Sequence, residues 1–186
     1  MGIRASTETK LLDAADELFF THGISATPID AVLARAGVSA ATLYRGYASK
    51  EALVAAALER RQSTWLEVWN RAIDEQETAR DKLLSVFDAL DEFRGRPDGS
   101  RWCAFLGSAA EYANPPEEIS RAVAQDTEAL RARLFQLAEP VGGHRASALA
   151  DELVLVVTGD LAMHLRDPNH ETTTARAIAT ALIGNP

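Results

Sequence analysis

A single cysteine, Cys103, in 186 residues rules out an internal disulfide, and nothing in the composition asks for an oxidising compartment. No stretch approaches the ~18 uninterrupted apolar residues of a membrane span. The N-terminus, Met1-Gly2-Ile3-Arg4-Ala5-Ser6, carries no apolar run behind its one basic residue and does not read as a signal peptide. The expected compartment is therefore the cytoplasm. There is no glycine-rich phosphate loop, no Ser/His/Asp set and no paired-carboxylate motif, so the chain is not read as an enzyme and no cofactor is expected. Histidine is scarce, at four residues. Asp160 and His164 stand four apart, as metal ligands can, but two ligands fall short of a zinc site, and no metal is expected. Basic charge is short as well: the formal net charge is −8. A nucleic-acid binder usually shows a basic footprint. Residues 1–50, however, hold five basic and five acidic side chains, and the whole deficit lies in residues 51–186, with 14 basic against 22 acidic. An acidic body would be repelled by DNA and would turn a neutral head toward it, although acid that merely keeps the body in solution gives the same count.

What is present is helical periodicity. The composition, 47% hydrophobic and 25% charged, is that of an ordinary globular chain, and no segment alternates as a half-buried strand would. Leu11, Ala15, Leu18 and Phe19 lie on one face of a first helix, about Thr7 to His22, which Gly23 stops. Thr27 reads as the cap of a second helix, with Pro28 in its first position and Asp30 in its first turn. That helix carries Val32, Leu33 and Ala36 and stops at Gly37. Only Gly37 and Val38 precede Ser39, the cap of a short third helix to about Tyr47. A fourth opens at Ser49, with Glu51 in its first turn, and runs to about Glu75. Leu83, Phe87 and Leu90 mark a fifth, before a loop at Gly95-Arg96-Pro97-Asp98-Gly99. Residues 101–112 are apolar nearly all round, which predicts a central, buried sixth helix, broken by Asn114-Pro115-Pro116. Ile119, Val123, Leu130, Leu134 and Leu137 give a seventh, ended by Pro140 and Gly142-Gly143. An eighth spans about 145–166, stopped by Asp167-Pro168, and a ninth runs from Thr172 to Ile183. Cys103 in its apolar helix reads as a small buried hydrophobe, and His22 as a surface group at a helix C-terminus.

Two short helices around a glycine turn, residues about 27 to 47, have one prominent use: the second enters the major groove of DNA. Its outer face must then be small and hydrogen-bonding. Ser39-Ala40-Ala41-Thr42-Leu43-Tyr44-Arg45 meets this. Leu43 would point into the core, leaving Ser39, Ala40, Thr42, Tyr44 and Arg45 outward. Arg45 alone here can make the bidentate guanine contact, and the helix N-terminus at Ser39 suits a phosphate. The same spacing occurs in helical proteins that bind no DNA, so the motif needs support from elsewhere.

That support is a resemblance. Ala36-Gly37-Val38-Ser39-Ala40-Ala41-Thr42-Leu43-Tyr44-Arg45-Gly46-Tyr47-Ala48-Ser49-Lys50-Glu51-Ala52-Leu53, with the upstream Ala14-Ala15-Asp16-Glu17-Leu18-Phe19, His22-Gly23 and Thr27, resembles the TetR family of repressors over about residues 8–55. The body is similar only loosely, through Cys103-Ala104-Phe105 and Ala109-Ala110-Glu111-Tyr112. The resemblance implies an all-α chain of about nine helices: a three-helix DNA-binding domain, residues 1–48, and a ligand-binding and dimerisation domain, residues 49–186. It implies that Thr27 and Lys50 face phosphates and that Ala40, Thr42, Tyr44 and Arg45 face the groove. Two positions depart from the family. Gly46 stands where a histidine or tyrosine usually reaches the backbone, so that contact should be missing. Tyr47 replaces phenylalanine and brings a hydroxyl that needs a partner.

The expected partners follow: a palindromic duplex operator, a second copy of the chain, and a small hydrophobic inducer. The dimer should use the eighth and ninth helices, through Leu149, Leu153, Val156, Val157 and Leu161, then Ile178, Ala179 and Leu182, unless these stripes pack on their own subunit. For the inducer, the aromatics Trp65, Trp69, Phe87, Trp102 and Phe105 could line an apolar site, with Glu111, Tyr112 or His164 supplying polarity, unless they are simply core. A helical small-molecule-binding protein without DNA function is the alternative reading, and one that would not need the Thr42-Leu43-Tyr44-Arg45 face.

Overall fold

The computed structural model describes residues 3–96, 103–167 and 169–184. Trp102, Pro168 and residues 97–99 of the expected loop lie outside the described residues. Everything regular among the described residues is helical: α1 (Ala5–His22), α2 (Ile29–Ala36), α3 (Ala40–Gly46), α4 (Lys50–Asp74), α5 (Ala79–Gly95), α6 (Ala104–Glu111), α7 (Glu117–Gly142), a 3-10 turn (Gly143–Arg145), α8 (Ala146–Arg166) and α9 (Thr173–Ile183). No described helix is long and apolar enough to cross a membrane.

One compact unit comprises Met1–Gln62 with Ala104–Ala124, so the first part of α4, all of α6 and the start of α7 fold with the head. Here α1 buries Leu11, Ala14, Ala15, Phe19 and Phe20, and ends at Gly23, whose φ of 94° suits glycine. Helix α2 buries Val32 and Leu33 and ends at Gly37 in the left-handed region, φ 65° and ψ 37°. Helix α1 packs on α2, and α2 on α3. Ion pairs brace the bundle: Arg61 holds Asp16 at 2.9 Å, nearly buried, and Arg60 holds Asp13 at 2.7 Å. Helix α6 buries only Ala104, Phe105 and Ser108. Its other faces are half-buried or open, which corrects the reading of a central buried helix: an alanine-rich helix can be apolar all round because its small side chains tolerate water. Cys103, just before it, is half-buried.

The second unit, Ser63–Cys103 with Gln125–Pro186, is built on a core that includes Trp69, Leu83, Phe87, Leu134, Leu149, Leu153, Val157 and Ala179. Thr78 caps α5 by accepting from the Asp81 amide at 3.0 Å. Pro140 does not end α7, which continues to Gly142. In the last turn the missing N–H costs a single backbone bond, and the stop falls at Gly143, φ 51°. Helix α8 packs on α9, and α9 on α5.

Candidate nucleic-acid interface

Helix α3 is presented as its sequence requires. Ser39 caps it, its hydroxyl accepting from the Thr42 amide at 3.3 Å and lying 2.9 Å from the Thr42 hydroxyl. Leu43 is fully buried, which fixes the rotation of the helix. Ser39, Ala40, Ala41, Tyr44 and Arg45 are then exposed and Thr42 half-exposed. Tyr44 keeps 54% of its surface, large for an aromatic ring with no structural duty. Arg45 has no ion-pair or hydrogen-bond partner among the described residues, so its five donors are available.

The two departures in the motif have physical accounts. Tyr47 is 9% exposed, and its hydroxyl donates to Glu8 Oε1 at 3.0 Å, tying the end of α3 to α1. Burial, then the Glu8 carboxylate, pushes the phenol up to about 12. At Gly46 a Cβ would run into the side chain of Ile3. Glycine lets the start of the chain lie against the recognition helix, where a larger residue would have to displace that flexible side chain.

The turn between α1 and α2 is where sequence reasoning missed most. Thr27 is not the cap of α2: Pro28 holds that place without a side-chain bond. Thr27 is 4% exposed, and its single hydroxyl proton goes to Gly23 O at 2.7 Å, with Leu18 O at 3.2 Å beside it, so it is spent inside the head rather than held toward a phosphate. Lys50 Nζ donates to Ile24 O at 2.5 Å and lies 5.6 Å from the Phe19 ring centroid. Its charge sits at the head, but tethered. The same turn is gripped by Glu111, the last residue of α6: Oε1 accepts from the Ile24 amide at 2.9 Å and Oε2 from the Ser25 amide at 2.8 Å. Tyr112 hydrogen-bonds the Ser25 side chain, with burial foremost, and then Glu111 and Glu51, raising its phenol. No spacing rule links residues 86 and 87 positions apart.

The residues expected to line an inducer site are divided between the two units. Trp65 and Trp69 meet at 5.5 Å with their rings tilted by 35°, and Phe93 meets Trp65 edge-on at 5.7 Å. Trp69 and Phe87 belong to the close-packed core of the second unit, and the buried Trp69 Nε1 has no hydrogen-bond partner among the described residues. Phe105, Glu111 and Tyr112 belong to the other unit. His164 lies with its Nδ1 3.4 Å from His170 O. The Asp160 carboxylate is fully buried and accepts from Arg94 at 2.5 Å and from His170 Nε2 at 2.9 Å. The described residues hold no group of three metal-binding side chains.

On α8 and α9 the stripe read as a dimer face divides. Leu149, Leu153, Val157 and Ala179 are at most 2% exposed inside their own subunit. The apolar side chains left open are Leu155 at 74%, Ile178 at 48%, Met163 at 44% and Leu165 at 43%.

A short helix with a small, polar outer face, seated by a buried leucine behind a glycine turn, has the form of a DNA-binding helix-turn-helix. Residues 11–57 match the family model described as bacterial regulatory proteins, tetR family. The chain is 29% identical over 159 residues to the HTH-type transcriptional regulator YjdC of Escherichia coli (strain K12), spanning 83% of this chain and 81% of that one. It is also 29% identical over 150 residues to the HTH-type transcriptional activator FasR of Mycolicibacterium smegmatis, spanning 79% and 67%. Among solved structures, SCO4454, a TetR-family transcriptional regulator from Streptomyces coelicolor, superposes with a TM-score of 0.86 at 27% identity, covering 97% of this chain and 95% of that one.

Proposed function

We propose that the chain is a homodimeric repressor that holds a palindromic operator and lets go when a small hydrophobic ligand binds its body. The observation that carries the DNA part is the outer face of α3, where Ala40, Thr42, Tyr44 and the unpartnered Arg45 stand clear of the head. Arg45 would read guanine and Ser39 would meet phosphate at the helix N-terminus. Lys50 would add a positive charge from the edge of the head. Thr27 would act by shaping the turn.

One short helix reads too few bases for useful specificity, so two copies are required, with half-sites about 34–36 Å apart or a multiple of it. The dimer would form through the outward faces of α8 and α9, with Leu155, Met163 and Ile178 as its apolar centre. These are large hydrophobic side chains that the subunit does not cover. The ligand would enter beside Trp65, Trp69 and Phe93, where the unsatisfied Trp69 N–H offers a donor inside an apolar setting.

The test is an unbiased selection of duplexes bound by the full chain, followed by release with a panel of small apolar and aromatic compounds, read by gel shift and tryptophan fluorescence. An inverted repeat and a compound that both quenches tryptophan and releases DNA are expected. A selected site without two-fold symmetry would sink the dimeric reading. Because FasR is named an activator, a reporter under the selected operator decides the sign: expression that rises with the protein would replace repression with activation.

A further inference from the structure

The α1–α2 turn, Gly23 to Thr27, is held by more polar contacts than a connecting turn needs. Each of its first two carbonyls has a side-chain donor: Thr27 on Gly23 O at 2.7 Å and Lys50 on Ile24 O at 2.5 Å. The amides of Ile24 and Ser25 point the same way and are taken by the two oxygens of one carboxylate, Glu111, at 2.9 and 2.8 Å. Ile24 itself is 1% exposed, anchoring the turn from below. Gly23 also makes room, since a Cβ there would sit 3.1 Å from Glu111 Oε1. Charge-assisted bonds to backbone amides are among the stronger and more directional polar contacts. A bidentate pair fixes orientation as well as distance, so a small rotation or slide of α6 must break one bond or carry the turn with it.

The turn sets the angle between α1 and α2, and α2 is the helix against which α3 packs. We propose that Glu111 is a positioning residue for DNA binding: from the end of α6 it fixes the α1–α2 turn and thereby the attitude of the recognition helix. It touches no base. The inference rests on the operator reading above, because the attitude of α3 matters only if α3 reads DNA. It adds a particular demand on α6, whose last residue must stay in register with the Ile24 and Ser25 amides for the head to be set.

The variants are Glu111→Gln and Glu111→Ala in the full chain. Glutamine keeps the size but offers one acceptor and one donor, so it can satisfy only one amide. Three readings are taken: amide hydrogen exchange, affinity for the selected operator, and the penalty for changing the half-site spacing by one base pair. Expected for Glu111→Gln is at least tenfold faster exchange at Ile24 or Ser25, with protection at Leu11 and Phe87 unchanged. Operator affinity should fall about five- to fiftyfold, and the spacing penalty should shrink, because a loosened head tolerates a wrong spacing better. A contact that merely stabilised the fold would leave spacing discrimination where it was. Exchange, affinity and spacing penalty all within twofold of the parent chain in both variants would overturn the proposal. So would faster exchange with unchanged affinity. If Glu111→Ala does not fold, Glu111→Gln decides alone. A parent chain that selects no DNA sequence would sink the operator reading and this inference with it, whereas a parent that binds beside variants that bind equally well would sink only the inference.

Discussion

Leu155 and Leu153 lie two residues apart on α8 and should fail in opposite ways when replaced by glutamate. Leu153 is 1% exposed in the subunit core, and Leu155 keeps 74% of its surface. Fully burying a leucine is worth roughly 2 kcal/mol. A partner covering Leu155 would therefore recover about 1.5 kcal/mol per copy. Two-fold symmetry places the residue in the interface twice, so Leu155→Glu should cost the dimer about 3 kcal/mol, or about a hundredfold in dissociation constant, before any charge repulsion. The monomer should be untouched, because the side chain contributes little to its core. Leu153→Glu puts a carboxylate among buried apolar groups and should unfold the subunit itself. Sedimentation equilibrium across a concentration series, with circular dichroism beside it, separates the two. Leu155→Glu should give helical, cooperatively melting monomers that have lost operator affinity. A variant that stays dimeric with an unchanged dissociation constant would refute the interface, and one that loses its helicity would refute the claim that Leu155 lies outside the subunit core.

Arg45→Ala should relax the selected sequence at one position per half-site and cost about 1–3 kcal/mol for each bidentate guanine pairing removed; an unchanged selected sequence would displace Arg45 from the groove. Asp160→Ala leaves Arg94 and His170 without their buried partner, so urea unfolding should show destabilisation of about 3–5 kcal/mol, with an effect under about 1 kcal/mol counting against the network. Burial pushes the Asp126 carboxyl up to about 6 from an ordinary 3.8. The folded state thus holds that proton more tightly than the unfolded chain, so this contribution is present below about pH 4 and is lost as pH rises through about 6. Asp126→Asn should be more stable than the parent at about pH 7, by about 1–2 kcal/mol after allowance for partial exposure, and that gain should vanish at about pH 4. An equal gain at both pH values would dismiss the carboxyl as its source.

Local chemistry was readable without coordinates. Gly23 and Gly37 stop α1 and α2 because a residue of positive φ ends each helix, and Ser39 caps α3 because its hydroxyl can reach the Thr42 amide. The face of α3 followed from a single buried residue, Leu43, and the family resemblance from the residues around it. Periodicity was less decisive where a helix is apolar on more than one side. Leu153 through Val157 is an unbroken apolar run, and the pattern alone could not say which side the subunit covers and which it leaves open. Proline and glycine near residue 140 signalled a helix end but not the turn in which it falls, since a proline in the last turn removes just one bond. Thr27 looked like a cap because its local sequence is that of a cap. Its hydroxyl instead turned to carbonyls of α1 and the turn behind it, which only the packing of α1 against α2 brings within reach.

What the sequence determined by itself, then, is what depends on neighbours a few residues away: the glycine stops of α1 and α2, the cap and outer face of α3, and the excess of acid outside residues 1–50. The tertiary structure alone decided the rest. It placed the Glu111 carboxylate on the Ile24 and Ser25 amides, Asp160 between Arg94 and His170, and Tyr112 beside Ser25. Such contacts join side chains that are mostly tens of residues apart, and their partners are chosen by which helices pack together. That choice is made by buried area summed over whole faces, for which no short pattern in the chain carries a signal.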